Sequence, residues 1–178
     1  MKKQKKIRRL ATLALALGAL QAPVASATSL GYFSCIAKRP ITFNGTIVDA
    51  AVATPALSTL VSLVQTAGLV TALNGPGPLT VFAPTNDAFG KIPGPVLTAI
   101  GGDTSVLTAV LTYHVAAGRR DPRASLDPRE IKTLQGQSVF FDYDNGPEIN
   151  QSKTTCQPVK TTNGTVWIID SVLLPQFR

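Results

Sequence analysis

The stretch Leu79-Thr80-Val81-Phe82-Ala83-Pro84-Thr85-Asn86-Asp87-Ala88-Phe89-Gly90-Lys91-Ile92 decides the fold. Leu79 to Ala83 is a short apolar run, rich in β-formers and preceded by Gly and Pro, which is the pattern of a buried strand. Pro84 has no N–H to give to a ladder and is expected to end the strand. Thr85 suits a helix N-cap, and Asn86-Asp87-Ala88-Phe89 suits a first helical turn, with Asp87 near the positive end of its dipole. Strand, stop and helix start are packed into one short segment.

Upstream of this stretch the chain reads as helical. Ile47, Val48, Ala51 and Val52 fall at helical spacing, and Thr54-Pro55 supplies a cap and an N1 proline. Leu57, Leu60, Val61 and Val64 then form one apolar stripe, and Gly68 suits a C′ position. Leu69 to Leu73 adds a further turn. Downstream, Val96 to Ile100 reads as a short helix broken by Gly101-Gly102. Asp103 or Thr104 caps the next helix, which turns Val106, Leu107, Val110 and Leu111 inward and runs into Tyr113-His114-Val115.

From Gly118 to Lys132 the composition shifts to Arg119, Arg120, Arg123, Arg129 and Lys132 interleaved with Asp121, Asp127 and Glu130, a solvated loop of mixed charge. Beyond it the period becomes that of strands. Ser138 to Tyr143 is one, Asp144-Asn145-Gly146 is a hairpin turn signal, and Glu148 to Lys153 and Gln157 to Thr161 are further candidates. Asn163-Gly164 marks a turn before the strongly β-forming Thr165 to Asp170. Helices first and strands afterwards, with one early strand, give a mixed α+β domain.

The first 27 residues are a different kind of sequence. A basic head (Lys2, Lys3, Lys5, Lys6, Arg8, Arg9), an apolar run from Leu10 to Leu20 and the ending Ala25-Ser26-Ala27 have the form of a secretory signal peptide, with cleavage expected after Ala27. The apolar run is short for a membrane span, so no span is expected after cleavage. The formal charge of +7 belongs mostly to this segment: six of the 17 Lys and Arg lie in it and none of the 10 Asp and Glu do. The remaining chain carries 11 bases against 10 acids, which removes the electrostatic case for a nucleic-acid partner. Two cysteines, Cys35 and Cys156, in an exported chain without a CxxC pair favour one disulfide. Such a bridge would tie an N-terminal arm, residues 28–41, onto a domain at 42–178.

The opening stretch resembles the first signature motif of the fasciclin (FAS1) family, close to TVFAPTNDAF. Three further segments resemble that family's pattern in order. Leu111-Thr112-Tyr113-His114-Val115 resembles its Tyr-His motif, and Leu134-Gln135-Gly136 resembles its TLxG segment. Asn163-Gly164-Thr165-Val166-Trp167-Ile168-Ile169-Asp170-Ser171-Val172-Leu173-Leu174-Pro175 resembles its second signature, commonly NGxIHxIDxVLxP. The resemblance implies a wedge-shaped β-sandwich with helices packed along it, in which Thr85, Asn86, Asp87, Phe89, Asn163, Gly164 and Asp170 are the motif residues that hold the structure. It also implies the Cys35–Cys156 bridge, an arrangement similar to that of small secreted single-domain mycobacterial members. One departure stands out: Trp167 occupies a place where the family commonly has histidine, which leaves His114 the only histidine of the chain.

Tyr113, His114 and Trp167 are the candidate interaction residues. Each also has a plainer reading: His114 as a hydrogen-bonding residue at a helix-to-strand junction, Trp167 as a large packing residue. Asp87 and Asp170 read as a helix start and a strand-end hydrogen bond before an acid/base pair. No catalytic residue, metal site or cofactor is expected, since no nucleophile elbow, ligand cluster or phosphate loop is present. The expected role is a secreted, non-enzymatic adhesion or protein-binding module, monomeric, located outside the cell, in the wall or in the periplasm. The alternative is a carotenoid-like apolar ligand held by Phe140, Trp167 or Leu57. Asn44, Asn150 and Asn163 head glycosylation sequons.

Overall fold

A computed structural model of the chain describes residues 35–123, 129–142 and 146–177. The expected signal segment, the arm before Cys35 and the expected turn residues Asp144 and Asn145 lie outside these. The first elements are strand β1 (Ile41–Thr42), helix α1 (Ile47–Val52), a 3-10 turn (Pro55–Leu57), α2 (Ser58–Thr66) and α3 (Val70–Leu73). Strand β2 (Leu79–Pro84), helices α4 (Asn86–Gly90), α5 (Gly94–Gly102) and α6 (Thr104–Tyr113), and strand β3 (Val115–Ala117) follow. The chain then makes β4 (Glu130–Lys132), β5 (Ser138–Asp142), β6 (Glu148–Ile149), β7 (Ser152–Lys153), β8 (Val159–Lys160) and β9 (Gly164–Ile169).

A five-stranded sheet runs in the order β1-β8-β9-β2-β3 and a four-stranded one in the order β4-β5-β6-β7. At the centre of the first sheet β2 lies parallel to β9, with Val81 opposite Val166, Phe82 opposite Trp167 and Ala83 opposite Ile168. Both strands are buried on both faces, so they read as continuous apolar runs. Period-two alternation then separates two cores. Val81, Ala83 and Val166 join a cluster with the helices through Ile47, Leu57, Leu60, Leu107 and Val110. Phe82, Trp167 and Ile169 join a second cluster with Tyr113, Ile131, Val139, Phe141 and Ile149 of the other sheet. Phe82 meets Phe141 edge to face at 6.0 Å between ring centres.

The α+β class and the sandwich with helices along it are present, and several local readings change. Strand β2 runs through Pro84, which pairs with Ile169. A proline is tolerated at this last position because Thr85 supplies the next N–H, to the Ile169 carbonyl at 3.2 Å. Helix α5 continues through Gly101 and Gly102 and stops only at Asp103, whose Oδ1 accepts from the Ser105 and Val106 amides and caps α6. Glu148 to Lys153 is not one strand but two, β6 and β7, joined by Asn150 and Gln151 at φ 46° and 67°. That conformation suits a tight hairpin, and Asn adopts it more readily than most residues. The expected solvated loop at 118–132 ends in strand β4, and its described start is drawn into the body: Pro122 is buried and the Arg123 side chain is only 9% exposed.

The Cys35–Cys156 bond is formed, across 121 residues of sequence, and Cys35 is buried. After it, Ile41 and Thr42 pair in parallel with Val159 and Lys160. The chain-entropy account of such a loop gives about 4–5 kcal/mol of stabilisation. Replacing both cysteines by serine is therefore expected to lower the urea-unfolding free energy by several kcal/mol, and peptide mapping without reduction should yield a Cys35–Cys156 linked pair. Free thiols on both residues, or a loss below about 1 kcal/mol, would rule out this cross-link as a main constraint.

Candidate functional site

The Tyr-His segment ends α6 against the second core. Tyr113 is buried, donates its hydroxyl hydrogen to the Ser138 carbonyl at 2.9 Å and accepts from the Asn150 side-chain amide at 2.9 Å. It thereby joins helix α6 to strand β5 and to the β6–β7 turn. His114 is 2% exposed. Its Nδ1 lies 2.8 Å from the Val110 carbonyl, and its Nε2 lies 2.9 Å from the Leu173 amide. An amide N–H can only donate, so Nε2 carries no hydrogen and Nδ1–H donates to Val110. The ring is a neutral strut between the end of α6 and the C-terminal segment.

Burial pushes the His114 pKa down to about 4, against the contrary pull of the Val110 carbonyl. With both nitrogens engaged by backbone and no carboxylate hydrogen-bonded to the ring, it has neither the exposure nor the partner of a general base.

Trp167 is fully buried and its indole N–H donates to the Arg120 carbonyl at 3.0 Å. The Arg123 guanidinium lies over the ring, 5.0 Å from its centre. Arg123 also donates to Asp121 from Nε and Nη2, at 3.0 and 2.8 Å, and from Nη1 to the carbonyls of Lys38 and Cys156. Thr80, buried in β2, holds the approach to this cluster by donating to the Gly118 carbonyl and accepting from the Arg120 amide. Arg123 is the residue that the sequence hides: in a run of alternating charges nothing distinguishes the arginine that folds inward from those that stay in water.

The three candidate interaction residues Tyr113, His114 and Trp167 are therefore interior groups, and none of them presents a contact surface. The carotenoid-like alternative fails on placement as well. Leu57 lies in the helix-side core and Trp167 in the other, while Phe140 points to solvent and is 55% exposed, so the three do not share a groove.

The motif residues are joints. Thr85 Oγ1 accepts from the Ala88 amide and starts α4, Asp87 lies exposed in that first turn, and Phe89 is buried beneath it. Asn86 accepts from the Thr59 amide and donates to the Pro55 carbonyl and Ser58 hydroxyl, locking the start of α2. Asn163 accepts from the Ile47 amide at 2.9 Å and donates to the carbonyls of Leu73 and Gly75 at 2.8 and 3.1 Å. Gly164 follows because a Cβ there would strike the Leu79 carbonyl of the neighbouring strand. Asp170 Oδ1 accepts from the Lys153 amide, Ser152 Oγ and Ser171 Oγ. Burial works to raise its pKa, but those hydrogen bonds and the charge of Lys91 outweigh it and hold the carboxyl below the usual range. The Lys91 contact, at 3.4 Å between half-exposed side chains, adds little stability. The Nδ2 atoms of Asn150 and Asn163, which a glycan would take, are already hydrogen-bonded. Among the described residues no group of three or more His, Cys, Asp or Glu is placed to hold a metal ion.

Two consequences follow from this geometry. Asn163→Ala strands one amide and two carbonyls, and is expected to cost roughly 3 kcal/mol in denaturant unfolding; a loss under about 1 kcal/mol would show that water replaces them. The unfolded chain takes up a proton on His114 near pH 6.5, whereas the folded chain refuses it until about pH 4. The stabilisation from neutral His114 is thus complete above pH 6.5 and falls away as pH drops towards 4. Between pH 7 and 5 the protein should lose about 2 kcal/mol more than a His114→Gln variant. Equal losses in the two would mean that His114 is not the group being protonated on unfolding.

The comparisons with known proteins agree with this architecture. A model of the fasciclin domain matches residues 55–175. The uncharacterized protein sll1735 of Synechocystis is 35% identical over 128 residues, 72% of this chain and 96% of that protein. Immunogenic protein MPB70 of Mycobacterium bovis is 44% identical over 108 residues, 60% of this chain and 54% of the relative. Cell surface glycolipoprotein MPB83 of the same species is 38% identical over 135 residues, 72% of this chain and 60% of the relative. The chain thus spans little more than half the length of these mycobacterial relatives. Among solved structures, a FAS1 domain pair from the insect cell adhesion molecule Fasciclin I superposes with a TM-score of 0.58 at 17% identity, over 74% of this chain and 51% of that one, a likeness of fold. The chain belongs to the fasciclin-domain family.

Proposed function

We propose that this chain is an exported adhesion or protein-binding module that acts through its outer surface and performs no bond-making chemistry. The observation that carries the reading is its likeness, over 72% of its length, to a glycolipoprotein named for the cell surface. The disulfide supports export, because such bonds persist in oxidising compartments. Among the described residues no single helix is long and apolar enough to cross a membrane. Tyr113, His114 and Trp167 are consumed inside the fold, so recognition falls to groups that point outward.

Exposed apolar side chains are candidates for that contact. Phe140 and Leu174 both flank the β6–β7 turn: Asn150 Oδ1 accepts from the Phe140 amide, and Leu174 shares a shallow hollow with Asn150. Large apolar and aromatic groups in such positions are the usual anchors of protein contacts. The purified protein is expected to bind cells or extracellular matrix above the level of an unrelated secreted protein of similar charge. The double change Phe140→Asp, Leu174→Asp should reduce that binding at least tenfold with unchanged thermal unfolding. Binding indistinguishable from the unrelated control would overturn the reading, and full binding by the double variant would move the contact elsewhere on the surface.

A further inference from the structure

Helices α1, α2 and α3 do not close completely on the central sheet. Between them and the sheet face that carries Val81, Ala83 and Val166 lies a cavity of about 70 Å³, walled on the helix side by Ala51, Leu60 and Val64. Protein interiors leave few voids larger than a water molecule, and this one holds several times the ~10–15 Å³ that a single water needs. It is not sealed. Gln65, Ala72 and Leu134 line it and are also exposed, so the mouth opens between α2, α3 and the residues after β4.

The chemistry of the walls limits the occupant. No charged side chain lines the cavity. His114 reaches it, but both ring nitrogens are already bonded to backbone, so the ring offers water nothing. Thr112, also in the wall, sends its hydroxyl hydrogen to the Thr108 carbonyl at 2.7 Å. A cavity of this kind stays dry and admits apolar guests. Its volume is about half the ~150 Å³ of an apolar cavity that admits benzene, which leaves room for roughly three carbons. A polyene or an aromatic ring does not fit, whereas the end of a plain aliphatic chain does. No lysine or arginine in the wall would hold a carboxylate, and the Gln65 amide lies on the rim to meet an uncharged polar head group.

We infer that this cavity is a binding site for the terminal carbons of a neutral, unbranched aliphatic chain. This site is distinct from Phe140, Trp167 and Leu57, and from the outer surface assigned to protein contacts.

The probes are the normal alcohols from ethanol to hexanol, with benzyl alcohol as the bulky control, titrated into methyl-labelled protein and read by NMR. Saturable shifts are expected at Ala51, Leu60 and Val166. Affinity should rise roughly fourfold per added methylene and flatten beyond butanol, where further carbons lie at the open mouth; benzyl alcohol should give no saturable shift. Ala51→Leu fills the space and should abolish the hexanol shifts while leaving or raising the thermal midpoint. If that variant does not fold, the smaller Ala51→Val should weaken hexanol at least tenfold. Shifts that stay linear to the solubility limit, that persist in the filled variants, or that appear equally with benzyl alcohol would overturn the assignment.

Discussion

The structure depends on the parallel pairing of Leu79–Pro84 with Gly164–Ile169. These strands are more than eighty residues apart in sequence, and a parallel pair needs a long crossover between its members. The helices α4 to α6 and the whole four-stranded sheet lie in that crossover. Because side chains alternate along a strand, one pair of backbones supplies the floor of two cores. The odd positions Val81 and Ala83 face the helices; Phe82, with its neighbour Trp167, faces the second sheet. A register slip of one residue would exchange the two sets and place Trp167 among helices shaped for valine. Close approach at the start of the pair fixes the register. Gly164 has no room for a Cβ beside the Leu79 carbonyl, and Asn163, one residue earlier, is bonded to the start of α1 and the end of α3.

The polar residues buried near this pair act as ties between elements that hydrophobic packing alone would leave free to slide. His114 lashes the C-terminal segment to α6, Tyr113 lashes α6 to the second sheet, and Thr80 pins the chain after β3. Each is satisfied on its polar atoms, and a buried polar group contributes stability and specificity only in that condition. The same satisfaction removes them from chemistry. A histidine whose two nitrogens are both held by backbone has no lone pair to offer a substrate, and its depressed pKa keeps it uncharged in neutral solution.

Much of this was legible in the sequence, and what was missed has a physical pattern. The apolar runs at Leu79 to Ala83 and Thr165 to Asp170, the stripe at Leu57, Leu60 and Val64, and the capping residues Thr85 and Asp103 follow from local propensity and periodicity, and they appear where those rules place them. The two-residue strands β6 and β7 did not: the hairpin turns on Asn150 and Gln151, and Gln151 carries no turn signal of its own. The inward fold of Arg123 was equally hidden, because it depends on a tryptophan and a cystine far away in the chain. The joint roles of Asn86 and Asn163 were recognisable only through family resemblance. A single asparagine looks the same in a loop and in a three-way junction.

The departure at Trp167 and the tethered arm form one physical unit. The indole fills the second core and offers its N–H to Arg120, and its face carries the guanidinium of Arg123. That guanidinium spends one nitrogen on the carbonyls of Lys38 and Cys156, the first just after one half-cystine and the second on the other. A histidine in the same place would present a smaller ring with a weaker π face and, when protonated, a like charge beneath the arginine. Arg123 would then have less reason to turn inward, and the arm would rest on the disulfide, the short β1–β8 pairing and the bond from the Gln157 side-chain amide to the Arg39 carbonyl. The large ring beneath Arg123 and the covalent bond beside it hold the same segment by different means. A weak cation–π contact gains from this arrangement, because the disulfide already bears the entropy of bringing the arm to the core and the contact has only to orient it.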